Sequence, residues 1–140
     1  MKKWITLVVA VSLLGFTACT GGSSGKSGKV QGEGDTELTM TVPDSVTVKP
    51  GKSEDFTISI ARKNFDDDVQ IKFEDPPKGV SIDGGESQRI DKGSKEKKFT
   101  LKADAKADEV KDHALKVTGT FNDGKKDRSI SKSIKVTVKK

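Results

Sequence analysis

Between Thr36 and Lys140 apolar residues recur at every second position. In EDFTISIAR, Phe56, Ile58 and Ile60 alternate with Thr57 and Ser59; in VQIKFE the apolar set is Val69, Ile71 and Phe73; in KKFTLKADA it is Phe99, Leu101 and Ala103. The same alternation runs through HALKVTGTF (Leu115, Val117, Phe121) and SIKVTVKK (Ile134, Val136, Val138). A period of two marks a strand with one buried face, so five strands are predicted. ELTMTV, SVTV, GVSI and SQRI are shorter candidates, and VPDS, KPGKS, DPPKG, DGGE, DKGSK and NDGKK supply turns between them. Seven to nine short strands, each with a single apolar face, predict an all-β fold in which two antiparallel sheets pack on a shared core. One stretch leaves the pattern: ADAKADEVKD, residues 103–112, reads either as one or two helical turns or as a polar crossover loop. A domain of this length buries roughly 60–70% of its unfolded surface and can fold without a disulfide or a metal.

Two segments precede that domain. Residues 1–18 pair a Lys2-Lys3 start with an apolar run from Trp4 to Phe16, the layout of a secretory signal and too short to span a bilayer. Residues 20–35, TGGSSGKSGKVQGEGD, are Gly/Ser-rich and nearly devoid of apolar side chains, which predicts a flexible tether. Between them stands Cys19, the only cysteine in the chain. A single cysteine forms no internal disulfide, and with one histidine, His113, the chain is short of ligands for a tetrahedral zinc site.

LLGFTAC resembles a bacterial lipobox, in which a branched apolar residue and two small residues precede the cysteine; Thr17 and Ala18 occupy the small positions and Phe16 stands where leucine is usual. That resemblance implies a lipoprotein acylated, as with palmitate, at Cys19, which becomes the first residue of the exported chain and its membrane anchor. Each buried CH₂ of an acyl chain contributes about 0.8 kcal/mol, so two or three chains hold a protein on a bilayer. Thr20, in place of an aspartate retention signal, implies an outer-membrane address where the cell has one. The expected organisation is a signal at 1–18, a lipidated Cys19 with its tether at 19–35, and a sandwich domain at 36–140.

The domain itself resembles a known module. SVTVKPGKSEDFTISIARKNFDDDVQIKFEDPPKGVSI, then FTLKADAKA and HALKVTGT, are similar to the immunoglobulin-like modules that accompany bacterial α-galactosidases and occur in bacterial envelope proteins. Lys49-Pro50-Gly51 matches the turn before the second strand, Pro76-Pro77-Lys78-Gly79 the turn after the third, and His113 to Thr120 the strand written YxLxVTGT. The resemblance implies a non-catalytic spacer or binding module. It also assigns His113 to the corner position that immunoglobulin domains fill with tyrosine, and Leu115 with Ile58 to the place of their inter-sheet disulfide.

Charge removes one class of partner. The formal net charge is +5, but from Asp35 onward the chain holds 22 basic and 20 acidic residues that alternate in sign, as in KGSKEKK and ADEVKDH. This is a solvated surface and not a phosphate-binding stripe, and there is no tyrosine for base stacking. No nucleic-acid partner is expected. The basic runs Lys95–Lys98 and Lys125–Arg128 fall at predicted turns, and Lys132, Lys135, Lys139 and Lys140 discourage edge-to-edge pairing of the last strand.

Catalytic constellations are few. His113 is the one imidazole a Ser/His/acid triad could use, and no GxSxG elbow accompanies it. The triplets Gly25-Lys26-Ser27 and Gly51-Lys52-Ser53 lack the upstream glycine of a phosphate-binding loop. Asp66-Asp67-Asp68 is the densest acidic cluster: Asp66 and Asp68 face the same way along an extended segment and are the candidate Ca²⁺ ligands, with a solvated loop as the other reading. The expectation is a membrane-anchored, non-enzymatic binding or structural module of the cell envelope, with an envelope protein or polysaccharide as partner. The alternative is a polysaccharide-binding accessory domain or an envelope glycan hydrolase. A hydrolase needs two carboxylates across a groove, and a glycan surface favours exposed aromatic rings, of which Phe65 is the one candidate outside the predicted core.

Overall fold

A computed structural model of the chain describes residues 25–140. Its ten strands are β1 (Gly25–Gln31), β2 (Glu37–Pro43), β3 (Ser45–Val48), β4 (Ser53–Lys63), β5 (Val69–Glu74), β6 (Val80–Ile82), β7 (Ser87–Ile90), β8 (Glu96–Ala103), β9 (Val110–Asn122) and β10 (Asp127–Val138). The five periodic segments are β4, β5, β8, β9 and β10, and the four shorter candidates are β2, β3, β6 and β7. Residues 104–109, between β8 and β9, hold no helix: they form a turn closed by Ala107 N–H donating to the Asp104 carbonyl at 3.0 Å, with Ala107 buried.

One sheet has the order β1-β2-β4-β8-β6 and the other β3-β10-β9-β5-β7. Alternate residues of each strand turn inward, and Leu38, Ile58, Ile71, Phe73, Leu101, Leu115, Val117 and Ile134 retain no exposed surface in the shared core. Phe56 and Phe99, opposite each other on β4 and β8, stack at 5.8 Å, and the Phe73 ring meets their edges and faces from the other sheet at 6.0 and 5.1 Å. Leu115 and Ile58 lie fully buried in opposing sheets. Gly119, in the middle of β9, leaves room for Met40 of the other sheet; a Cβ there would come within 3.0 Å of the Met40 sulfur.

The tether expectation requires a correction. Residues 25–31 are not coil but pair along their whole length with β2, from Gly25 opposite Pro43 to Gln31 opposite Glu37. Backbone bonding to an edge requires no apolar alternation, and β1 has almost none: only Val30 packs on the core. The strand also passes close to β10, where Lys132 and Ile130 lie against Gly28. Its glycine is room for that approach, since a Cβ at Gly28 would sit 2.0 Å from Lys132 Cε.

Candidate functional site

A broad concavity opens where one sheet divides. The β2–β4 ladder runs from Glu37 opposite Lys63 to Thr41 opposite Ser59 and stops there. Continuing the same register would place Pro43 opposite Thr57. Proline has no N–H to donate, so the ladder ends at it. The chain then crosses to the other sheet, where Lys135 N–H donates to the Asp44 carbonyl at 3.0 Å and β3 runs parallel to the end of β10.

The first half of β4 is thereby left with a partner on one side only. Lys52 C=O accepts from Ala103 N–H at 3.0 Å and Ile60 N–H donates to Lys95 C=O at 2.7 Å, which fixes the parity of the β4–β8 ladder. Even-numbered residues of β4 address β8, and odd-numbered ones address the opposite side. The peptide groups of Asp55 and Thr57 therefore point into the gap with no strand partner among the described residues. The groove encloses about 730 Å³. Val42, Val46 and Phe56 give it an apolar floor; Thr41, Thr47, Thr57 and Ser59 supply hydroxyls; Glu54, Asp55 and Glu96 are the charged residues along it, and no lysine or arginine lines it. Asp55 accepts from the Thr100 hydroxyl at 2.7 Å and pairs with Lys98 at 3.2 Å, which together hold its carboxyl below the usual range, the Thr100 bond contributing most. Glu54 and Glu96 make no ion pair among the described residues.

A second, shallower surface is the outer face of the other sheet. Thr118 and Ser131 share a hydroxyl contact at 2.9 Å, Thr120 and Ser129 another at 2.9 Å, and Gln70 Nε2 donates to Ser87 Oγ at 2.6 Å. The sequence gives no sign of this array beyond polar alternation, because only the register of β5, β7, β9 and β10 brings the hydroxyls together.

The residues singled out from sequence have structural surroundings of their own. His113, at the start of β9, donates from Nε2 to the Asp75 carbonyl at 2.7 Å; a carbonyl only accepts, so Nε2 carries the proton. It pins the turn after β5, where Asp75 takes φ +58°, and does not close its own corner as the immunoglobulin tyrosine does. Asp66 and Asp68 do face the same way, and what they face is the turn 91–94: Gly93 N–H donates to Asp66 Oδ1 at 3.1 Å and Lys92 N–H to Asp68 Oδ1 at 2.8 Å. Asp68 Oδ2 also meets Arg89 at 3.4 Å. Among the described residues no group of three or more His, Cys, Asp or Glu side chains is placed to hold a metal ion. Phe65 is half-buried, with its ring stacked on Phe121 at 4.3 Å. Cys19 lies outside the described residues.

Arg62 completes the clasp around the acidic loop. Its guanidinium donates to the carbonyls of Asp67 at 2.9 Å, Asp91 at 3.0 Å, Ile90 at 3.3 Å and Ser94. Lysine cannot reproduce that planar fork. Arg62→Lys is expected to free the 91–94 turn, so that the Lys92 and Gly93 amides exchange with solvent about tenfold faster, equivalent to about 1.4 kcal/mol of local stability. Exchange rates at those two amides equal to the parent's would show that the loop is held by its carboxylates alone.

The strand order defines the class of protein. Reading β2, β4, β8 and β6 as one sheet and β10, β9 and β5 as the core of the other gives the A-B-E-D and G-F-C arrangement of a constant-type immunoglobulin sandwich, widened by β1 beyond the first strand and by β3 and β7 at the edges of the second sheet. No family model matches the sequence, and no curated protein matches it. A solved structure, chimeric titin Z1Z2 functionalized with a KLER exogenous peptide from decorin, is 16% identical and covers 83% of this chain and 99% of its own, with a TM-score of 0.38. The immunoglobulin-like assignment rests on the strand order and not on that superposition.

Proposed function

We propose that the protein is an exported lipoprotein, acylated at Cys19, whose immunoglobulin-like sandwich is a non-catalytic binding or structural module at the surface of an envelope membrane. The observation that carries this reading is the LLGFTAC pattern set directly before a folded module. Only five residues separate Cys19 from Gly25, where β1 begins. Six extended steps span at most roughly 22 Å, so the sheet lies against the membrane and not at the end of a long leash. Gly25 also borders the groove, which brings the groove within the same reach. The structural tie of the single histidine to Asp75 fits a module without acid-base chemistry.

A polysaccharide-binding accessory role is the second reading, favoured by the hydroxyl array on the outer face of the second sheet. The stacking of half-buried Phe65 on Phe121 weighs against it, because it covers one face of the one aromatic ring available to a sugar.

The anchoring is tested in cells fed an alkynyl palmitate analogue. The parent chain should take up the label and enter the detergent phase on phase separation, whereas Cys19→Ser should take up none and stay in the aqueous phase. A parent protein recovered in the aqueous phase with a free thiol overturns the reading.

A further inference from the structure

We propose that the half-open edge of β4 is a docking site for an extended, lysine- or arginine-bearing segment of a partner protein, which adds to the sheet in the place that Pro43 denies to β2. The inference rests on reading the domain as a binding module and names the site and the chemistry of its partner.

Three independent features converge on this occupant. The peptide groups of Asp55 and Thr57 point into the groove without a ladder partner, and both residues are solvent-exposed, so the directional bonding capacity of a strand edge is present and accessible. Edge strands are normally blunted by covering chain, proline or lysine; here Pro43 stands across the gap and leaves it open, and no lysine lines the groove. Second, an added strand would present alternate side chains to two different surroundings. One set would meet the apolar floor at Phe56 and Val46, and the other the outer face at Asp55, Thr57 and Glu96. Third, the charge is one-sided. Glu54 and Glu96 carry no cation of their own and Asp55 shares one with Lys98, in a domain whose acids and bases are otherwise nearly balanced. A partner strand of alternating small apolar and cationic residues satisfies all three features, and main-chain bonds supply affinity while the alternate side chains supply selectivity. An acidic or neutral strand would satisfy only the first two.

The test uses the full-length protein in detergent and the peptide acetyl-KVKVKT-amide, with acetyl-EVEVET-amide and a copy of the cationic peptide methylated at alternate backbone nitrogens as controls. Amide exchange is read by NMR. In the free protein the Asp55 and Thr57 amides should exchange at least tenfold faster than those of Phe56 and Ile58, and the cationic peptide should slow Asp55 and Thr57 selectively. Neither control should do so. Glu96→Gln, exposed and unpaired on the outer face, should weaken binding at least fivefold and raise no other exchange rate. Equal protection by the acidic peptide, or by the methylated one, overturns the proposal, as does no protection at millimolar cationic peptide. Concentration-dependent protection of Asp55 and Thr57 in the free protein would also overturn it, by assigning the edge to a second copy of this chain. None of these outcomes bears on acylation of Cys19, whose labelling test stands apart.

Discussion

Phe73→Ala is expected to destabilise the domain by about 3–5 kcal/mol, the range for removing a buried phenylalanine. Phe73 is fully buried and is the ring through which the second sheet meets the stacked Phe56–Phe99 pair of the first. Truncation loses the transfer free energy of the ring and two edge-to-face contacts, and it leaves a cavity that two rigid sheets close only in part. A domain of this size is stable by about 5–15 kcal/mol, so the variant should approach the limit of folding. Phe73→Leu keeps an apolar branch in the same space and should lose about 1–2 kcal/mol. Urea unfolding reads both values from the shift in midpoint at constant slope. A loss below 1 kcal/mol for the alanine variant would mean that the sheets are not held together through this cluster.

The sandwich was legible wherever burial imposes a period of two. Every strand from β2 to β10 coincides with an alternating segment, including β3 and β6, because each has one face in the core and turn residues at both ends. Strand β1 was illegible for the converse reason: GKSGKVQ is an edge held by main-chain bonds to β2, and such bonds leave no mark on side-chain pattern. Its glycines read as flexibility, whereas Gly28 is room for Lys132. In residues 103–112 the pattern fits helical turns and a crossover loop alike, and the loop is what forms: Ala107 packs against Gly79, 3.1 Å from where a Cβ at Gly79 would stand.

The candidate sites were legible only as residue types. Alternation put Asp66 and Asp68 on one side correctly, yet their partners, the peptide N–H groups of Gly93 and Lys92, lie 27 and 24 residues further along. The groove escaped notice because Pro43 reads as a turn residue. Its effect depends on falling in phase with the ladder to β4, and only the pairing register reveals that phase.

Asp123→Asn should remove much of the acid sensitivity of the fold. The Asp123 side chain is fully covered and its carboxylate accepts four N–H donors: Arg128 Nε at 2.7 Å, the peptide N–H groups of Lys126 at 2.9 Å and Lys125 at 3.0 Å, and that of Glu33 at 3.1 Å. The Arg128 bond first, and the Lys126 peptide next, hold this carboxyl far below the ordinary carboxylate range. In the unfolded chain an aspartate titrates near about 3.9. Below that pH the unfolded state binds the proton and the folded state does not, so the stabilisation is complete at neutral pH and declines as the pH falls below about 4. Asparagine offers one acceptor oxygen and turns an amide N–H₂ toward donors that need an acceptor, whatever the pH. The variant should therefore unfold at clearly lower urea than the parent at pH 7, and the gap should narrow steadily from pH 4 to pH 2. Asp55 and Glu74, whose carboxyls are also lowered by neighbouring donors away from this hairpin, contribute to both proteins alike and drop out of the difference. Because Asp123 joins the β9–β10 hairpin to the turn between β1 and β2 through Glu33, the same substitution should loosen β1, and exchange of the Glu33 amide should rise with it. A gap that stays constant from pH 7 to pH 2 would show that the hairpin is held by shape and not by this charge.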